Sequence, residues 1–264
     1  MRRAVLLSLA TVAAASGTAA AQPKPAAAKV VRACNATTVP LSVGNEWTYE
    51  SVQVPPDRAM SEAQLKALPP QPKQVVIKVT AIDTKDNITT VTLSEDLDGR
   101  VHTSTITCAP GGGLSIAPNA FWFNGEPGDV IGLEMSELTR KGKSIELVGG
   151  KLNGALTEWH DDLTAKWKHI AIGKVFPTLR SGTIELARHV VVLPSETIVT
   201  KAGNWKAAKL GIETTTKITI EPAPELPLRE IPLLVNLMYL QDGVGVVGVI
   251  NSAAQYLLVN YQVL

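Results

Sequence analysis

Four histidines, His102, His160, His169 and His189, make up the chain's stock of near-neutral acid–base and metal-ligating groups. One of them stands in a pattern: Glu158, His160 and Asp162 alternate, so on a strand they share one face. Two carboxylates flanking an imidazole could hold a divalent ion or position a general base. The same pattern also fits a solvated strand face with cross-strand ion pairs, for instance to Lys166 or Lys168 beyond a turn at Asp162-Leu163-Thr164. The second reading is the expected one, because three ligands two residues apart on a single strand do not converge on one ion. A hydrolase centred on His160 is the alternative. No G-x-S-x-G elbow surrounds any serine, and the glycine run Gly111-Gly112-Gly113 opens no helix, so neither a serine hydrolase nor a phosphate cradle is expected. No cofactor is expected.

A second constellation is apolar. Phe121-Trp122-Phe123, between Pro118 and Pro127, gathers two of the three phenylalanines and one of the five tryptophans. Adjacent aromatics in a Pro/Gly-rich loop can lid a small hydrophobic cavity and bind its occupant. They can also plug the open end of a curled sheet. No basic residues interleave with them, and Lys plus Arg (25) nearly balance Asp plus Glu (24), so nucleic acid is not an expected partner.

The elements that must position these groups are strands. Val, Ile and Thr alternate in runs cut by turn residues every eight to twelve positions, and about a dozen such runs follow one another. QVVIKVTAID, NITTVTLSED and RVHTSTITC read as a three-stranded meander, with Val75, Ile77, Val79 and Ala81 on its core face. The one expected helix is short. Ser61 and Gln64 have capping-box spacing, LKAL follows, and Pro69-Pro70 ends it. Without βαβ alternation, the expected fold is all-β: one twisted, largely antiparallel sheet that curls toward a half-barrel or barrel to protect its edges, with that helix inserted near the N-terminus.

Residues 1–21 read as an export signal: Arg2-Arg3, a short apolar run, and Ala19-Ala20-Ala21 before Gln22. Its removal would move the net charge from +1 to −1. Residues 22–38 form a Pro/Ala-rich arm, and 39–264 a single β-rich domain. No later apolar segment is long enough to span a bilayer as a helix, so the exported protein is expected in the periplasm or outside the cell. The only cysteines, Cys34 and Cys108, would then lie where a disulfide persists; two unpaired buried thiols are the alternative.

Three phrases carry a resemblance. VPLSVGNEWTYE (39–50), VTKAGNWKAAKLGIE (199–213) and MYLQDGVGVVGVI (238–250) resemble, in that order, the opening, middle and closing phrases of uncharacterised exported bacterial all-β proteins. That group has a P-L-x-V-G-N-x-W-x-Y phrase near its start and a G-V-G phrase near its end. The middle phrase departs: Thr200-Lys201-Ala202-Gly203-Asn204-Trp205 stands where the group usually has apolar-Pro-Ala-Gly-Thr-Phe. The resemblance implies a twisted antiparallel sheet and carries over no catalytic residues. The expected function is a non-enzymatic binding or envelope-associated module for an apolar small molecule or a protein partner.

Overall fold

The computed structural model describes residues 33–52, 71–109, 113–124, 133–149, 151–152, 158–169, 181–221, 229–251 and 254–264. The export signal, the helix expected at 61–68 and the end of the aromatic loop at 125–127 lie outside them. Among the described residues fourteen strands run in chain order: β1 Glu46–Val52, β2 Gln74–Lys85, β3 Ile88–Leu97, β4 Arg100–Cys108, β5 Ser115–Ile116, β6 Leu133–Gly142, β7 Leu147–Val148 and β8 Lys151–Leu152. They continue as β9 Glu158–His169, β10 Ser181–Thr200, β11 Gly203–Glu221, β12 Arg229–Gln241, β13 Gly245–Ile250 and β14 Gln255–Gln262. Twelve form one antiparallel sheet in the order β5-β4-β3-β2-β1-β14-β13-β12-β11-β10-β9-β6, and β7 pairs with β8 in a separate two-stranded sheet.

The fold class is the expected one, all-β and antiparallel, and the ladder is not closed into a barrel. Its two edges nevertheless meet at one corner. Leu114, just before β5, forms a bridge with Ile145, just after β6. Ile116 N–H donates to Ser144 Oγ at 2.9 Å, and the Arg140 guanidinium donates to Ile116 O. A Cβ on Gly113 would lie 2.0 Å from Ile145 O, so this approach requires glycine. Beyond the corner β6 is the last strand of the sheet among the described residues, and it carries a bulge between Ser136 and Thr139 and charged residues.

Two strands run longer than the sequence pattern suggests. The turn expected at Asp162-Leu163-Thr164 does not exist: β9 passes straight through it. The reason is packing, since Trp159, Asp161, Leu163, Ala165 and Trp167 all point to the buried face in unbroken alternation. Lys166 accordingly pairs with Glu137 of β6, at 2.7 Å, rather than across a hairpin. Likewise β10 continues through Leu193–Glu196 with a bulge. Its far end folds with β11 over the outer face of the central strands: Ile198 stands against Gly248, and Ala202 N–H donates to Leu258 O at 3.3 Å. This second layer explains why β13 is buried on both faces.

Residues 33–38, placed by sequence in the arm, pack on the domain. Ala33, Ala36 and Thr38 are buried, and Cys34 is bonded to Cys108 at the end of β4, as the export reading expected.

Candidate functional site

The inner face of the sheet has its own occupant. Residues 117–124 cross it and end in one helical turn, Phe121–Asn124. Phe121 and Trp122 are only 2% and 1% exposed. Trp122 meets Trp47 edge to face at 4.7 Å between centroids, and Phe121 meets Tyr256 in the same way at 4.9 Å. A chain of polar contacts fixes the indole. Its N–H donates to Tyr49 Oη at 2.8 Å, and the Tyr49 hydroxyl donates to Val246 O at 2.8 Å. Burial pushes the Tyr49 phenol well above its ordinary pKa, with the charge of Glu95 acting the same way and the Trp122 hydrogen bond opposing, so it stays a donor. Phe121 and Trp122 are thus core residues; the side chain of Phe123 lies outside the described residues.

Glu95 anchors the turn. Fully buried on β3, it accepts from Phe121 N–H at 2.8 Å and from Ser104 Oγ–H at 2.6 Å. His102 Nε2 lies 2.9 Å from the same carboxylate and 3.2 Å from Asn119 O. Both of those partners accept, so Nε2 carries a proton. Burial opposes a charge on His102, but the hydrogen bond and negative charge of Glu95 outweigh it and raise the imidazole above its ordinary pKa. Ser104, His102 and Glu95 do not form a nucleophile relay, because Ser104 is hydrogen-bonded to the carboxylate and not to the imidazole.

A second buried charge cluster lies at the corner where the edges meet. Asp161 Oδ2 accepts from Arg188 Nη1 at 3.1 Å and from Ser144 Oγ–H at 2.8 Å, while Arg140 Nε stands 3.3 Å from Oδ1. Arg188 is held down to about 10, first by burial and also by the charge of Arg140, with Asp161 opposing the shift. The cluster separates two apolar groups on one face: Trp159 and Val190 belong to the main core, and Leu163, Ala165, Trp167, Ile184 and Leu186 to a smaller one.

Glu158, His160 and Asp162 are exposed together on the outer face of β9, as their alternation requires. Register places His160 opposite His189, and Asp162 opposite Ala187 and Lys141. Among the described residues no three His, Cys, Asp or Glu side chains already converge on one point as metal ligands. Beside them a shallow trough of about 470 Å³ is lined by Lys141, Asp162, Thr164, Glu185, Ala187 and Lys217, among others. Its floor is low because Ala187 puts almost no side chain between charged neighbours. Sequence reading missed Asp161, Arg140 and Arg188. The available signal was Arg188 itself, which occupies an inward position in the alternation Ile184-Leu186-Arg188-Val190 and so demands a buried carboxylate.

No protein-family model matches the chain, and no curated protein matches it in sequence. Two solved structures align with 86% of this chain and 99% of theirs. One is a Bacteroides fragilis NCTC 9343 protein with a YmcC-like fold, designated exported, at 13% identity and a TM-score of 0.49. The other is a Parabacteroides distasonis ATCC 8503 protein designated a lipoprotein, at 11% identity and a TM-score of 0.45.

Proposed function

We propose that the protein is exported and acts outside the cytoplasm as a non-enzymatic, β-rich binding module whose partner is another protein of the envelope. The observation that carries this reading is the occupied inner face. A sheet that curls around an apolar ligand keeps its concave side open, whereas here Phe121 and Trp122 fill it and Tyr49 holds the indole. An apolar molecule held by Phe121, Trp122 and Phe123 would have to displace this turn. Among the described residues, the surfaces left for recognition are the polar outer face of β9 to β11 and the rims. Export is supported by the signal-like residues 1–21 and by the Cys34–Cys108 bond, which an oxidising compartment preserves. The non-enzymatic character is supported by the use of Glu95, His102 and Asp161 as anchors within the fold.

The test is thiol trapping in intact cells followed by native mass spectrometry of the protein purified gently from the periplasm. The expected result is no alkylatable thiol and no lipid mass on the protein. Two alkylated thiols would overturn export, and a stoichiometric lipid would overturn the protein-partner reading in favour of the apolar ligand.

A further inference from the structure

Pairing of β9 with β10 sets His160 directly opposite His189, and pairing of β10 with β11 sets Glu213 opposite His189 on the other side. The imidazole centroids are 5.0 Å apart, with the rings 19° from parallel. Glu158 Oε2 lies 3.3 Å from His189 Nε2, and Glu213 Oε2 lies 3.7 Å from His189 Nδ1. His160, Glu158 and Glu213, from β9 and β11, thus surround His189 on the solvent face, although no three of these side chains converge on one point as they stand. Directly opposed residues in an antiparallel pair have Cβ atoms about 4.5 to 5.5 Å apart. Two imidazoles can close that span to bring one nitrogen each within about 2.0 to 2.1 Å of a shared ion.

We propose that His160 and His189, completed by Glu158 or Glu213, form a surface site for a divalent first-row transition ion such as Zn2+. This goes beyond the binding-module reading and does not depend on it. The donor set decides the class of metal: imidazole with carboxylate suits zinc, copper and nickel, whereas Mg2+ and Ca2+ require a shell of oxygens. The stacked rings must turn their nitrogens to one side, and Glu158 must release His189. Neither step disturbs the sheet, because the side chains of Glu158, Glu213 and His189 are 66%, 51% and 34% exposed and ion pairs so placed contribute little. Asp162 is one row away, opposite Ala187, and is left out of the site. Because imidazole ligates only without its proton, binding weakens on acidification. A bound ion would also cross-link β9 to β10 and raise the melting temperature.

The test is calorimetric titration of the exported, oxidised chain with Zn2+, and with Mg2+ in parallel, in a non-chelating buffer. The expected result is one Zn2+ per chain, no Mg2+ heat, and a melting temperature that rises with Zn2+. His160→Ala and His189→Ala should each weaken Zn2+ binding roughly tenfold or more. Asp162→Asn should leave it unchanged. Circular dichroism of each variant checks that the exposed substitution has not altered the fold. No Zn2+ binding by the unsubstituted protein, or binding that survives either histidine substitution, would overturn the proposal. Loss of binding in Asp162→Asn would overturn it in favour of a set drawn from β9 alone.

Discussion

Truncating Trp122 to alanine tests whether the helical turn is core or lid. The indole is 1% exposed, packs on Trp47 at 4.7 Å, and donates to Tyr49 Oη at 2.8 Å. Its removal leaves a cavity between the turn and the sheet, a cost of about 3 to 5 kcal/mol for a buried aromatic replaced by alanine. That is a large share of the roughly 5 to 15 kcal/mol that holds a domain folded. In a domain of this size each kcal/mol lowers the melting temperature by about 2 to 4 °C, so the expected loss is about 6 to 20 °C. Trp122→Phe keeps most of the ring and loses the N–H, which should cost about 1 kcal/mol. Combining it with Tyr49→Phe in a double-mutant cycle isolates the hydrogen bond from the packing. Thermal melts followed by far- and near-ultraviolet circular dichroism provide the readout. A Trp122→Ala protein that melts within about 2 °C of the parent would show that the indole does not support the core, and the argument for an occupied inner face would fall.

Three other outcomes follow from the same geometry. His102 is raised by Glu95, so its stabilising contribution is complete below the ordinary histidine value of about 6.5 and is lost as pH rises through the folded value; His102→Gln should flatten that part of a plot of melting temperature against pH, and an unchanged slope would refute the assignment. Reduction, or Cys34→Ser with Cys108→Ser, releases a loop of 74 residues and should cost about 4 kcal/mol in the chain-entropy account, read by urea titration. Gly113→Ala forces a Cβ to within 2.0 Å of Ile145 O and should cost about 1 to 3 kcal/mol while exposing the Leu114 and Ile145 amides to hydrogen exchange, whereas Gly99→Ala, with open space around it but φ of +83°, should leave those amides protected.

The periodicity of apolar residues carried most of the fold. Val75, Ile77 and Val79 face the core as their alternation requires and the meander β2-β3-β4 follows, but Ala81, expected on the same face, is exposed because the register shifts between Val79 and Ala81. Periodicity misled where polar residues sit inside. Asp162-Leu163-Thr164 looks like a turn because two consecutive aspartates, Asp161 and Asp162, are poor strand formers and read as a strand end. Here one of them faces two guanidiniums and the other faces water, so alternation continues through both. The aromatic phrase was ambiguous for a different reason: burial of Phe121 and Trp122 depends on Glu95, 26 residues earlier, accepting from the Phe121 amide. Nothing local to the phrase reports that contact. The pairing of His160 with His189 is hidden in the same way, since it depends on the register between two strands.

The resembling phrases at the two ends of the domain make sense once the strand order is known. The sheet is two meanders, β5 to β1 and β14 to β6, joined along β1–β14 and touching again at the Leu114–Ile145 corner. Trp47 N–H donates to Val244 O at 2.6 Å and Tyr49 to Val246 O at 2.8 Å, so the opening phrase reaches across β14 to the closing one. Gly245, at φ of +100°, leaves room beside the Trp47 indole, where a Cβ would stand 3.5 Å from its nitrogen. The N-terminal segment ties the same halves together: Cys34 is bonded to β4, while Thr37 O accepts from Gly243 N–H and Thr38 donates to Asp242. The Asp161 cluster guards the second joint, and Glu95 locks the turn over the first through Trp122 and Tyr49. Several of the fold's most deeply buried polar contacts thus lie on a boundary between the two meanders, one a continuous ladder along β1–β14 and the other a single bridge. Such contacts cost desolvation wherever they sit, and they are worth that cost where they choose one docking of the halves over others. The outer face of β9 to β11 around His160, His189 and Glu213 lies within one meander and spans neither joint. Substitutions in its charged rows therefore leave both joints intact, whereas substitutions at Asp161 or Glu95 reach them.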